Sequence, residues 1–310
     1  MPTNVDVLVS EVGPRDGLQS IKSMMPLAAK KEWISAEAAA GVSEIEVGSF
    51  VSPKLLPQLA DTAEVVAHAL TLPGLTVAVL VPNLKGAQAA LEAGVHKITL
   101  PFSASDTHLM KNVRRTPEQM LDETRAIAAL LRGAAAERRP KFEVGISTAF
   151  GCSYEGVVPE DKVVRLAETV LDAGCDEVGL SDSTGYANPA QVKSMVLRVR
   201  GAIGESAFAG LHLHNTRGLG LANVLAGLEL DVRTFDSSLA GLGGCPWAPG
   251  ASGNIVTEDL VFMLEAMGIR TGIDLSGLLA VRKILAASLP GESLYGFVPE
   301  AGLPLGFSPP

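Results

Sequence analysis

Two histidines, His212 and His214, stand one residue apart in the apolar run Leu211-His212-Leu213-His214. On a strand, residues i and i+2 point to the same side, so both imidazoles can reach one ion. Two interior histidines satisfied by hydrogen bonds are the alternative. The remaining three, His68, His96 and His108, fall in helical or loop patterns and read as packing or surface residues. Near the start, Gly13-Pro14-Arg15-Asp16-Gly17 sets a guanidinium beside a carboxylate. Taken alone, Asp16 reads as turn chemistry; beside paired imidazoles it becomes a natural third metal ligand. Two nitrogens and several oxygens suit a six-coordinate Mg2+ or Mn2+ better than the closed tetrahedral set of zinc. Cys245 lies in the stretch 241–254, which carries five glycines and two prolines in 14 residues. That stretch lacks the Lys-Ser/Thr ending of a phosphate loop and reads as a lid. A thiol there, near a metal and Arg15, can act as an acid or base.

These groups are useful only if the chain brings them together. Eight short β-branched or apolar runs alternate with helical patterns: 5–12, 44–47, 76–81, 97–102, 142–146, 177–180, 209–214 and 234–239. Thr116-Pro117 with Gln119 reads as a capped helix start, as does Asn188-Pro189. Eight strand-helix repeats predict an α/β fold, the closed (β/α)8 TIM barrel, where an open doubly wound sheet usually stops at five or six strands. One catalytic domain over 1–310 is expected, with helices over 257–267 and 275–288 and an irregular tail from 290. Barrels gather their chemistry at the C-terminal strand ends. There the sequence offers Arg15-Asp16, Glu46 and Ser49, Ser181-Asp182, and the His212–His214 pair, and strands one and seven are separated only by strand eight. So many charges at one mouth need a compensating partner, which a bound metal supplies.

Composition removes several classes of function. Lys+Arg number 25 against 34 Asp+Glu, a net charge of −9, which excludes a nucleic-acid partner held by phosphate neutralisation. Hydrophobic residues make up 47% and charged ones 19%, enough apolar material for a large core. No secretory signal pattern precedes Arg15 and no apolar run reaches about 18 residues, so no membrane partner is expected. Cys152, Cys175 and Cys245 lack metal-type spacing and cannot all pair, which fits a cytoplasmic protein with free thiols.

The segments Glu11-Val-Gly-Pro-Arg-Asp-Gly-Leu-Gln19, Ser49-Phe-Val-Ser-Pro-Lys54, Pro82-Asn-Leu-Lys-Gly86, Gly151-Cys-Ser-Tyr-Glu-Gly156, His212-x-His214 and Gly241 to Asn254 with Thr257-Glu-Asp-Leu260 resemble the 3-hydroxy-3-methylglutaryl-CoA lyase family over residues 5–275. The resemblance implies a TIM barrel, Mg2+ or Mn2+, and retro-Claisen cleavage of an acyl-CoA substrate to acetyl-CoA and acetoacetate. It implies Asp16, His212, His214 and Asn254 as metal ligands, Arg15 and Cys245 as the catalytic pair, and Glu46, Lys22 and Asp182 in or near the site. Asp182 or a histidine would receive the C3 hydroxyl proton. A homodimer is the default assembly, since barrels often associate. The chain also departs from the family pattern. Asn215-Thr216-Arg217-Gly218 replaces Asp-Thr-Tyr-Gly, Val47-Gly48 replaces two threonines, and Gly179 replaces a serine. Arg217 is then either a salt-bridged surface residue or a substrate-binding group that reads an acyl carboxylate. Two other readings stay open: a lyase for a related branched or dicarboxylic 3-hydroxyacyl-CoA of citramalyl-CoA type, and a Claisen synthase resembling isopropylmalate synthase. The lid cysteine favours a lyase.

Overall fold

The computed structural model describes residues 5–243 and 253–309. Eight strands pair in chain order and close into a barrel. They are β1 (Leu8–Glu11), β2 (Glu44–Ser49), β3 (Thr76–Leu80), β4 (Lys97–Ser103), β5 (Lys141–Ser147), β6 (Glu177–Ser181), β7 (Phe208–His212) and β8 (Thr234–Ser237). The expected (β/α)8 barrel is therefore the fold, with all eight strands where hydrophobic patterning puts them.

The described residues pack as two compact units. The first holds β1, β2 and β8, with β1 parallel to β2 and, from Leu8↔Thr234 to Glu11↔Ser237, parallel to β8. Its helices are α1 (Leu27–Ala39) and α2 (Thr62–Ala69), and, after β8, α9 (Thr257–Ala266), α10 (Leu275–Ser288) and α11 (Phe297–Ala301). Trp33 and Ile34 of α1, Val65 and Val66 of α2, and Leu260 and Leu264 of α9 are buried to 1% exposure or less. The tail expected to be irregular thus contains a short helix, fixed where Asp259 accepts the N–H groups of Phe297 and Val298.

The second unit carries β4 to β7 and most of β3, with α3 (Leu84–Ala93), α4 (Asp106–Val113), α5 (Pro117–Arg132), α6 (Glu160–Asp172), α7 (Pro189–Ile203) and α8 (Gly220–Leu228). Along β4, Ile98, Leu100 and Phe102 are buried while Lys97, Thr99 and Pro101 are partly exposed, the period-two alternation of a strand covered by helices on one face. The helices begin where capping chemistry predicts. Thr116 and Gln119 form a reciprocal capping box on α5, and the Asn188 side chain accepts the Gln191 N–H ahead of α7. No helix of the described residues is long and apolar enough to cross a membrane.

Two site segments differ from the sequence expectation. Strand one does not run into Arg15-Asp16: β1 stops at Glu11, and residues Gly13–Gly17 form a π-helical turn in which the N–H groups of both Arg15 and Asp16 converge on the Val12 carbonyl, at 3.1 and 2.7 Å. Such turns often occur at functional sites. Strand seven ends at His212, so His214 lies two residues past it.

Candidate active site

In the first unit the π-helical turn sits directly after β1. Arg15 Nε donates to Glu46 of β2, and its Nη1 donates to Asp16 Oδ1 at 2.5 Å. Asp16 Oδ2 accepts the Asn254 side-chain amide at 2.7 Å. Four motif residues from three chain segments therefore form one connected set. Burial works against the Arg15 charge, but the Glu46 and Asp16 carboxylates outweigh it and hold the guanidinium above its ordinary pKa. Burial in turn raises Glu46 above the usual carboxylate range, with Arg15 opposing. Asn254 is fully buried, and its Oδ1 has no hydrogen-bond partner among the described residues. Lys22 is exposed on the loop before α1 and makes no hydrogen bond or ion pair among them. Cys245 lies outside the described residues.

In the second unit the two imidazoles meet: His212 Nε2 and His214 Nε2 are 3.0 Å apart. The shared orientation expected of an i, i+2 pair thus persists past the end of the strand. Asp182, just after β6, is buried, and its carboxylate accepts the Tyr186 and Ala187 N–H groups at 2.8 and 3.1 Å. Burial pushes its pKa up to about 6 against those donors and the charges of His212 and Arg217. A carboxyl poised there can exchange a proton near neutral pH. Arg217 is exposed but carries no salt bridge among the described residues. Its Nη1 donates to the carbonyls of Thr184 and Gly185 at 3.0 and 2.9 Å, and its guanidinium stacks over the Tyr186 ring at 4.5 Å. Asp182 and Arg217 therefore hold the same loop, 182–187, from two sides.

Two of the family departures have a steric reason. A Cβ on Gly179 would lie 2.4 Å from Glu143 Oε1, and Glu143 pairs with Lys97 at 2.7 Å. The carboxylate stands where a serine side chain would go. At Gly48 a Cβ would meet Thr62 Oγ1 at 2.6 Å. Sequence reasoning gave no role to the buried carboxyls Glu37 and Glu258, which lie within electrostatic reach of Glu11. The available signal was acidic residues inside otherwise apolar patterns, and this does not separate a buried acid from a solvated one.

A (β/α)8 barrel with an Arg–Asp turn after its first strand, a paired imidazole at the end of its seventh and a buried carboxyl after its sixth has the parts of a carbon–carbon lyase. The family described as HMGL-like matches residues 6–285. Hydroxymethylglutaryl-CoA lyase YngG of Bacillus subtilis is 40% identical over 301 residues, covering 96% of this chain and 99% of the relative. The crystal structure of the B. subtilis HMG-CoA lyase superposes with a TM-score of 0.90 at 38% identity, covering 97% of this chain and 99% of that one. An HMG-CoA lyase from Acinetobacter baumannii, solved with coenzyme A and 3-methylmalate, is 43% identical with a TM-score of 0.90, covering 100% of this chain and 99% of that one. The chain belongs to the HMGL-like family of carbon–carbon lyases.

Proposed function

We propose that the protein, as one catalytic domain, cleaves 3-hydroxy-3-methylglutaryl-CoA to acetyl-CoA and acetoacetate, with Mg2+ or Mn2+ held by Asp16, His212, His214 and Asn254. The observation that carries the reading is the Glu46–Arg15–Asp16–Asn254 set, which fixes a guanidinium and an oxygen-rich donor group side by side. The donors fit a divalent ion. Asn254 donates its amide to Asp16 and keeps a buried carbonyl oxygen without a partner among the described residues, the kind of ligand a hard cation takes. When bound, such an ion supplies Lewis-acid stabilisation of charge on the substrate C3 oxygen.

The chain's own groups complete the bond change. Asp182 takes the C3 hydroxyl proton. The C2–C3 electron pair moves onto the thioester as an enolate, and C3 becomes the ketone carbon of acetoacetate. Arg15, with Glu46 and Asp16 fixing its orientation, stabilises the enolate oxygen. Cys245 gives C2 its proton, releasing acetyl-CoA, and solvent exchange restores the thiol and the Asp182 carboxylate. Lys22 and Arg217 contribute on the substrate side. Among the described residues Cys152 and Cys175 are free thiols, in keeping with a cytoplasmic enzyme.

A related dicarboxylic 3-hydroxyacyl-CoA is the second reading. It is favoured by the departures at Gly48, Gly179 and Arg217 and by 3-methylmalate in the Acinetobacter relative. Incubation with a panel of 3-hydroxyacyl-CoAs and Mg2+ separates the two. Acetyl-CoA should form fastest from 3-hydroxy-3-methylglutaryl-CoA, and Cys245→Ser should slow it by about 10² or more. Preferential cleavage of another member of the panel would replace the first reading with the second.

A further inference from the structure

Glu11 ends β1 with its carboxylate fully buried, and it receives three donors. Oε1 accepts the N–H of Gly13 at 2.7 Å and of Leu239 at 2.9 Å, and Oε2 accepts the Thr257 hydroxyl at 2.7 Å. Two of these donors lie 228 and 246 residues away along the chain. Gly13 opens the π-helical turn that carries Arg15 and Asp16. Leu239 follows β8, and Thr257 opens α9 three residues after Asn254. One side chain thus grips the segment bearing one proposed metal ligand and the segment that follows another.

The surrounding seam is built for close approach. Ser238 N donates to the Ile255 carbonyl at 3.0 Å, Thr257 N donates to the Ser238 carbonyl at 3.1 Å, and Thr257 Oγ1 is 2.8 Å from Ser237 Oγ. A Cβ on Gly13 would lie 2.5 Å from Glu11 Oε1. At Gly243, where φ is +92°, it would lie 2.8 Å from the Cα of Gly17. Three donors approaching two oxygens need a full carboxyl group. Gln offers one acceptor oxygen, and Asp is a methylene too short to reach all three.

We infer that Glu11 is a positioning residue that sets the Arg15–Asp16 turn and Asn254 in register, so that the 2.7 Å contact between Asp16 and Asn254 depends on it. The inference rests on the reading of Asp16 and Asn254 as metal ligands. Groups that orient metal ligands typically affect metal affinity or activity by about 10- to 100-fold when removed. A buried acid that only fills space would alter stability alone.

The test uses the full chain, with Mn2+ as probe. Binding is followed by the EPR signal of free Mn2+ in the absence of substrate, alongside kcat, KM and thermal unfolding. Thr257→Val removes the hydroxyl that Glu11 accepts and keeps the side-chain shape; Glu11→Gln removes one acceptor. Both variants should weaken Mn2+ binding by about tenfold or more and lower kcat more than they raise KM, whereas Thr257→Ser should recover both. If Glu11→Gln does not fold, the Thr257 pair decides. Variants that fold, bind Mn2+ within about twofold of the unaltered protein and keep its kcat overturn the inference, as does a Thr257→Ser protein no better than Thr257→Val. Asp16→Asn separates this from failure of the ligand reading. If it binds Mn2+ as the unaltered protein does, the ligand assignment is wrong, and Glu11 is judged on the kcat of Thr257→Val against Thr257→Ser.

Discussion

Glu37 of α1 is fully buried, and neither carboxyl oxygen has a hydrogen-bond partner among the described residues. Burial pushes its pKa well above the ordinary carboxylate value, and the neighbouring Glu11 and Glu258 push it further. The Trp33 indole favours the charged form without closing a hydrogen bond. Glu11 is pushed the same way by burial, but its three donors oppose the shift. In the unfolded chain Glu37 ionises near the usual 4.5. Above that pH the folded state holds a proton the unfolded state has lost, so stability falls as pH rises, by about 1.4 kcal/mol per pH unit. Glu37→Gln, which mimics the neutral acid, abolishes this dependence. Between pH 5 and 6 its advantage over the unaltered protein should grow by up to about 1.4 kcal/mol, which for a chain of this size is a widening Tm difference of about 2 °C. Thermal unfolding followed by circular dichroism at the two pH values measures it directly. Two melting curves separated by the same interval at both pH values would show that Glu37 is ionised in the fold, and the burial reasoning would fail.

Arg15→Lys keeps the charge but cannot reach Glu46 and Asp16 with a planar fork; kcat should fall by about 10² or more, and a KM effect without a kcat effect would remove Arg15 from the chemistry. Chelation should abolish turnover and added Mg2+ or Mn2+ restore it, while His214→Ala should weaken Mn2+ binding as well as rate; undiminished activity in rigorously metal-free protein would exclude the proposed ion. Arg217→Tyr should move the ratio of kcat/KM between 3-hydroxy-3-methylglutaryl-CoA and a dicarboxylic competitor by about tenfold if the guanidinium reads the acyl group. Equal slowing of both substrates would mean that it acts only by bracing the loop of Asp182. Gly179→Ser must push aside the Glu143 carboxylate that pairs with Lys97, and should destabilise the fold by about 1 kcal/mol or more, read as a lowered denaturation midpoint; an unchanged midpoint would mean that Glu143 moves freely.

The sequence by itself determined the elements and marked out the candidate groups. Apolar runs bounded by caps and turn residues mark eight strands and their helices, because period-two and period-3.6 burial are local properties of the chain. The His212-x-His214 spacing and the adjacency of Arg15 and Asp16 are likewise local, so both survive into the fold even though strand seven ends early and the Arg15 segment winds into a π-helical turn. What the tertiary structure alone decided are relations between residues far apart in the chain. Asn254 meets Asp16 across 238 positions, Glu11 meets Thr257 across 246, and the space beside Gly179 is taken by a carboxylate from the neighbouring strand. Nor could spacing tell that Glu37 is buried with no hydrogen-bond partner among the described residues while Arg217 lies exposed, bonded to carbonyls in place of an acid. An acidic or basic residue in a helical or loop pattern has the same local sequence whether it faces water or a neighbouring element. Its charge state and role are set by desolvation and by which donors the closed barrel brings to it.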